Sequence, residues 1–197
     1  QGCSLDGISD TGDSLRMGAM TTLQDLVYDE RVPTGLSDAA RAELPSTLRT
    51  LATVGGTVAT GNADSVLLAA LLVHEARIEL LGPDGHETAP LEDLLTSGLA
   101  AGHVVTAVEV DPSGGCTRHS TARTPSDTPI VSATARVAND GLRLALTGVA
   151  GHPVLVDPAD PTAGLDPIGD FRGSADYRRK LAEVLSGRAL LALEETA

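Results

Sequence analysis

Apolar and polar positions take helical spacing through much of the first half of this chain, alternate with a period of two at Arg77–Leu81, and run continuously apolar at Val104–Val110. Gly2–Gly12 is rich in Gly, Asp and Ser and reads as a turn-laden lead-in to a strand over Ser14–Ala19. Thr21 or Thr22 then caps a short helix with Leu23, Leu26 and Val27 on one face. Pro33-Thr34-Gly35 breaks the chain before a helix over Ser37–Leu44, with Ala39, Ala40 and Leu44 inward, and Pro45 and Ser46 open a further turn over Thr47–Thr50. A β-branched run, Thr53-Val54, stops at Gly55-Gly56, and an almost wholly apolar helix follows over Ser65–Ala76, with Asp64 as its expected N-cap.

The second half reads as strands. Arg77–Leu81 and His86–Ala89 form a hairpin about Pro83-Asp84-Gly85, Pro90–Leu95 a short helix, and Val104–Val110 a continuous β run. Thr117–Thr124, Ile130–Asn139 and Leu142–Gly148 make an antiparallel meander, with Asp140-Gly141 the strongest hairpin signal and Pro153–Val156 an edge strand. Asp157–Asp170 reads as an irregular connector. Ser174 caps a last helix whose expected inward face is Tyr177, Leu181, Val184, Leu185 and Arg188.

At 197 residues and 42% apolar, the chain can bury a core. Its net charge of −13, with Lys180 the one lysine beside thirteen arginines, argues against a nucleic-acid surface. No apolar run reaches the ~18 residues a bilayer span requires, so the expected setting is the cytoplasm, with no membrane insertion. Cys3 and Cys116 are too few for a four-thiolate cluster or zinc site, and no nucleophile elbow, metalloprotease helix or Walker loop is present. Any catalytic step would then belong to a bound cofactor. Arg49 reads as a solvated helix-end cation and His74 as a core-edge histidine.

The glycine pair carries the main candidate site. Two residues without Cβ permit close approach of a ligand, and successive N–H groups there can converge on an anionic oxygen. An ordinary turn is the alternative.

Thr53-Val54-Gly55-Gly56-Thr57 resembles the Thr-Ile-Gly-Gly-Asn loop of the FAD-binding medium subunit of molybdenum hydroxylases, the family of carbon monoxide dehydrogenase and the FAD domain of xanthine dehydrogenase. Ile-Gly-Ala-Met-Thr-Thr-Leu of that family is similar to Leu15–Leu23, its Arg-Arg-x-x-Asp-x-x-x-Val step to Arg123–Val131, and its Arg-Gly-Ser-x-x-Tyr-Arg ending to Phe171–Arg179. Thr57 stands where the family has Asn, one arginine of the paired step is absent, and the segment from Thr57 to Asp64 is shorter. The family's first glycine loop would precede Ser14–Ala19 and has no match here, so a missing upstream segment is expected.

The resemblance implies an α+β chain: an FAD-binding subdomain of the PCMH type over residues 1–113, then a C-terminal antiparallel sheet with helices over 114–197. It implies FAD, with Thr53, Val54, Gly55, Gly56 and Thr57 along the diphosphate and ribityl and Asp64 accepting from a cofactor hydroxyl. Val105 would offer a backbone contact to the flavin, and His119 falls near a family lysine beside the ring. Partners implied are a molybdopterin-binding large subunit and a [2Fe–2S] small subunit, with electrons leaving the flavin to NAD, oxygen or another acceptor. A flavin-free assembly module of the same fold is the alternative.

Overall fold

The computed structural model describes residues 5–124, 127–138 and 141–196. In chain order the elements are β1 (Ile8–Asp10), β2 (Leu15–Gly18), α1 (Leu23–Tyr28), α2 (Thr34–Glu43), α3 (Ser46–Arg49), α4 (Val54–Thr60), α5 (Val66–Val73) and β3 (Arg77–Gly82). Then come β4 (Gly85–Pro90), α6 (Leu91–Ser97), β5 (Val104–Val110), β6 (Cys116–Thr121), β7 (Val131–Ala138), β8 (Gly141–Thr147), β9 (Val154–Val156) and α7 (Ala175–Thr196). The α+β expectation holds: helices accompany two sheets in which every strand pairing is antiparallel. No helix among the described residues is long and apolar enough to cross a membrane.

The chain divides into two compact units, neither continuous in sequence: Gln1–Gly61 with His74–Pro112, and Asn62–Val73 with Ser113–Ala197. In the first, a five-stranded sheet runs β1-β2-β5-β3-β4. β5 lies at its centre, which is why its residues read as a continuous apolar run: Val105, Ala107, Val108 and Val110 are all buried. β1 had no signal in the Gly/Asp/Ser lead-in. It is a three-residue edge strand with two exposed positions, held to β2 by the register Ile8↔Met17.

Thr22 caps α1 by accepting from the Asp25 amide, and Asp25 reaches back to the Thr22 amide at 3.0 Å, a reciprocal capping box. Leu23 and Leu26 are fully buried beneath it, while Val27 is half-buried. Arg49 is not a solvated cation. Its guanidinium donates to the Arg41 and Leu44 carbonyls, both at 2.9 Å, and so satisfies the open C-terminal end of α2. His74 is fully buried, with Nδ1 2.8 Å from the Asp111 carbonyl oxygen.

In the second unit the four strands β6-β7-β8-β9 form the expected meander. Of the expected Asp140-Gly141 turn, Asp140 lies outside the described residues, and Gly141 faces Ala138 across β7 and β8. One sheet face, built of Val131, Ala133, Ala135, Leu144 and Leu146, packs on Ala182, Leu185, Ala189 and Leu193 of α7. The inward stripe of α7 is therefore rotated from the expected one, and Tyr177, Val184 and Arg188 are exposed. Small residues let the helix approach the sheet. The buried Arg178 sets the rotation by donating to the Ile130 and Gly148 carbonyls at 2.8 and 2.7 Å.

Residues of β7 alternate across the sheet, so Ser132, Thr134 and Arg136 face the other way, toward α5. All eight residues of α5 are buried. Arg136 donates to the Val73 carbonyl at the helix C-terminus and to the Ser113 carbonyl, both at 2.9 Å.

Gly18 is a point of close backbone approach in the first sheet. A Cβ there would lie 2.5 Å from the Leu5 carbonyl carbon and oxygen and 2.7 Å from the Asp6 nitrogen, all backbone atoms. Gly18→Ala should therefore cost about 2 kcal/mol of unfolding free energy, as overpacking against atoms that cannot move aside does. Urea unfolding with a midpoint equal to that of the parent chain would refute this.

Candidate functional site

The glycine pair does not form a loop. Thr53 takes an extended conformation (φ −115°, ψ 159°) and caps α4, so Gly55 and Gly56 occupy the first turn of a helix that ends at Gly61 in the left-handed region (φ 59°). Val54 and Val58, four residues apart, are both buried and hold this helix down. A β-branched run beside two glycines suggests a strand and a turn. The cap and the buried valine pair override that local preference.

Each glycine has its own reason. A Cβ on Gly55 would fall 2.6 Å from the Cβ of Ala19 and 2.9 Å from its carbonyl oxygen, so its missing side chain makes room for β2's continuation rather than for a ligand. Gly56 is exposed, and a Cβ there would meet nothing within 4 Å except Thr53 Oγ1 at 3.1 Å. Its outer side is open.

The amides that were expected to face an anion all have partners within the chain. Val54 N–H donates to the Thr21 carbonyl and Gly55 N–H to that of Ala19, both at 2.9 Å. Gly56 N–H donates to Thr53 Oγ1 at 3.1 Å, and Thr57 N–H to the Thr53 carbonyl at 3.0 Å. Thr22 and Thr53 pair across the same junction. These four amides do not fit a phosphate cradle. What fits a bound group here is the bare backbone of Gly56 and the Thr53 hydroxyl, which accepts from Gly56 and so keeps its own proton to donate. Thr57 Oγ1 donates to the Thr53 carbonyl at 3.0 Å and retains acceptor capacity.

Two exposed apolar residues adjoin this face and were not singled out from the sequence. Met20 lies between the two carbonyls that receive the Gly55 and Val54 amides and is 57% exposed, and Leu51, two residues before the cap, is 78% exposed. Their signal was available: both sit within or beside a motif, yet an inward role would be the ordinary one for either. Val105 lies on β5 opposite Leu80 and is buried.

In the second unit, Asp64 does not cap α5. Ser65 does, its hydroxyl accepting from the Leu68 amide at 3.1 Å. Asp64 Oδ2 instead takes Nη2 of Arg172 at 2.8 Å. Arg172 Nε also donates to Asp170 Oδ2 at 3.0 Å, and Arg178 Nη2 reaches Asp170 Oδ1 at 2.7 Å. Hydrogen bonds from Arg178 first, then from Arg172, hold the Asp170 carboxyl far below the usual carboxylate range. The same carboxylates hold the Arg172 guanidinium above its ordinary value. His119 lies on β6 opposite Ala133 and is half-buried. Among the described residues, no group of three or more His, Cys, Asp or Glu is placed to hold a metal ion.

Residues 3–112 match the family described as FAD binding domain in molybdopterin dehydrogenase. The uncharacterized protein YgfM of Escherichia coli K12 is 31% identical over 199 aligned residues, which cover 94% of this chain and 75% of that protein. The carbon monoxide dehydrogenase medium chain of Afipia carboxidovorans is 27% identical over 220, covering 94% and 76%. In fold, the chain superposes on carbon monoxide dehydrogenase from Hydrogenophaga pseudoflava with a TM-score of 0.89 at 24% identity, covering 97% of this chain and 78% of that one. The chain therefore belongs to the FAD-binding medium-subunit family of the molybdenum hydroxylases, and FAD is the cofactor of that family.

The two glycines should respond differently to the same change. Gly55→Ala should cost about 2 kcal/mol by forcing Cβ into Ala19, whereas Gly56→Ala should shift stability by less than about 1 kcal/mol. Equal melting temperatures for the two variants would refute the assignment.

Asp170 supplies a pH dependence. Its carboxyl is depressed in the folded chain, so its contribution is present above the unfolded carboxyl value near 4 and is lost as pH falls toward the folded one. Acid unfolding monitored between about pH 5 and pH 2 should thus be shallower in Asp170→Asn than in the parent, and parallel curves would refute this.

Proposed function

We propose that this chain is the FAD-binding subunit of a molybdenum hydroxylase-type oxidoreductase, passing electrons from an iron–sulfur partner through the flavin to an acceptor. The observation that carries the reading is the family match over residues 3–112, together with four sequence motifs that continue the likeness to Arg179. The relatives named carbon monoxide dehydrogenase medium chain support a place in a multi-subunit complex; the molybdopterin-binding large subunit, the [2Fe–2S] small subunit and a cytoplasmic setting rest on the motif resemblance alone. The flavin-binding portion is taken as residues 1–113, followed by the C-terminal sheet and helix over 114–197.

A flavin, when bound, can take up and release electrons singly or in pairs, which suits a site between one-electron centres and a two-electron acceptor. The chain's own part is to bind and orient. Thr53, Val54, Gly55, Gly56 and Thr57 would serve through the open backbone at Gly56 and the threonine hydroxyls, with Val54 and Gly55 anchoring the turn from beneath. Asp64 would accept from a cofactor hydroxyl, Val105 would contribute backbone, and His119 a polar side chain from β6.

A flavin-free assembly module is the second reading, and the engaged amides of residues 54–57 favour it. Reconstitution separates the two. Incubating the full chain with FAD and removing the excess should leave stoichiometric flavin absorbance near about 450 nm. A colourless, folded product would favour the assembly module.

A further inference from the structure

The chain ties Asp64 to a fixed framework through one side chain, Arg172, which lies just before α7 and 108 positions further on in sequence. The framework begins at Arg178, only 3% exposed, whose Nη1 is held by the Ile130 and Gly148 carbonyls. Its Nη2 fixes Asp170, which also accepts from the Arg172 and Gly173 amides at 2.8 and 3.1 Å. Asp170 in turn orients the Arg172 guanidinium by its Nε, leaving Nη2 aimed at Asp64 Oδ2. Both Asp64 and Arg172 keep 21% of their side-chain surface in solvent, so the pair is reachable.

Two consequences follow for a dinucleotide. A carboxylate accepts through two oxygens, and fixing Oδ2 orients Oδ1 toward one direction. A bare carboxylate also adds to a net charge of −13, and the adjacent guanidinium cancels that charge locally. Planar Arg can serve two carboxylates at fixed angles, which the ammonium of Lys does only as a point charge.

We propose that Arg172 is a positioning residue for the cofactor: it orients the Asp64 carboxylate toward a hydroxyl of FAD and offsets its charge. This rests on the reading that Asp64 takes a cofactor hydroxyl. The test is FAD titration of the full chain by quenching of flavin fluorescence, with melting temperature recorded for each variant. Arg172→Gln should weaken FAD binding about tenfold or more, the scale expected for losing a hydrogen bond to a charged group. Arg172→Lys should recover only part of that loss, the share due to charge alone. Asp64→Asn should also weaken binding, and the double variant Asp64→Asn/Arg172→Gln should bind no worse than Asp64→Asn alone, because a guanidinium with no carboxylate to orient has nothing left to contribute. Wild-type affinity in Arg172→Gln alongside a loss in Asp64→Asn overturns the inference and leaves the Asp64 reading standing, as do losses that simply add. Wild-type affinity in Asp64→Asn, or no binding by the parent chain, overturns the Asp64 reading and the inference with it. If Arg172→Gln does not fold, the double variant takes its place, and wild-type affinity there overturns both.

Discussion

Two missing side chains fix the geometry of the first unit. The chain from Gly18 to Thr22 is held between two neighbours that can approach only because Gly18 and Gly55 lack Cβ: the Leu5–Gly7 backbone on one side and the start of α4 on the other. That contact carries main-chain hydrogen bonds in both directions. Gly18 N–H donates to the Gly7 carbonyl and Met20 N–H to that of Leu5, while the Ala19 and Thr21 carbonyls receive the Gly55 and Val54 amides. The capping box of α1 and the cap of α4 begin at the two ends of this clamp, so both helices start from a common rigid turn.

The same clamp changes what the glycine pair means chemically. A paired glycine invites a phosphate-cradle interpretation because its amides are accessible in principle. Here the first glycine serves packing and only the second faces outward, so a bound group at this position would meet bare backbone and hydroxyls rather than a fan of N–H donors. Family membership and cofactor-binding geometry are separate questions. Membership rests on the match over residues 3–112 and the 31% identical relative, and several residues of the resemblance motifs have roles within the chain: Arg172 and Arg178 join Asp64 and Asp170 into an alternating-charge network, and Ser174 opens α7 by accepting from the Tyr177 amide.

Local signals carried a large part of the fold. β5 has the bounds its apolar run implied, the meander follows its turn residues, and Thr22 caps α1 as its place before an apolar helical face suggested. What was not legible depends on partners distant in sequence. The glycine pair reads as a break until Ala19 and Thr21 are known to lie beside it. Asp64 reads as a cap because its partner Arg172 comes much later, and the rotation of α7 follows from carbonyls at Ile130 and Gly148 that no periodicity reveals. Arg49 looks solvated for the same reason, its acceptors being carbonyls at the end of another helix.

The placement of α5 bears on how the polypeptide matures on the ribosome. This helix is apolar on every side and leaves the exit tunnel well before β7 and β8, the strands it will cover. Until they are synthesised it is an uncovered greasy segment, and the Arg136 guanidinium that will close its C-terminal end does not yet exist. Nascent chains of this protein thus carry an uncovered apolar helix between the emergence of α5 and that of β8, a transient exposure of the kind that favours aggregation.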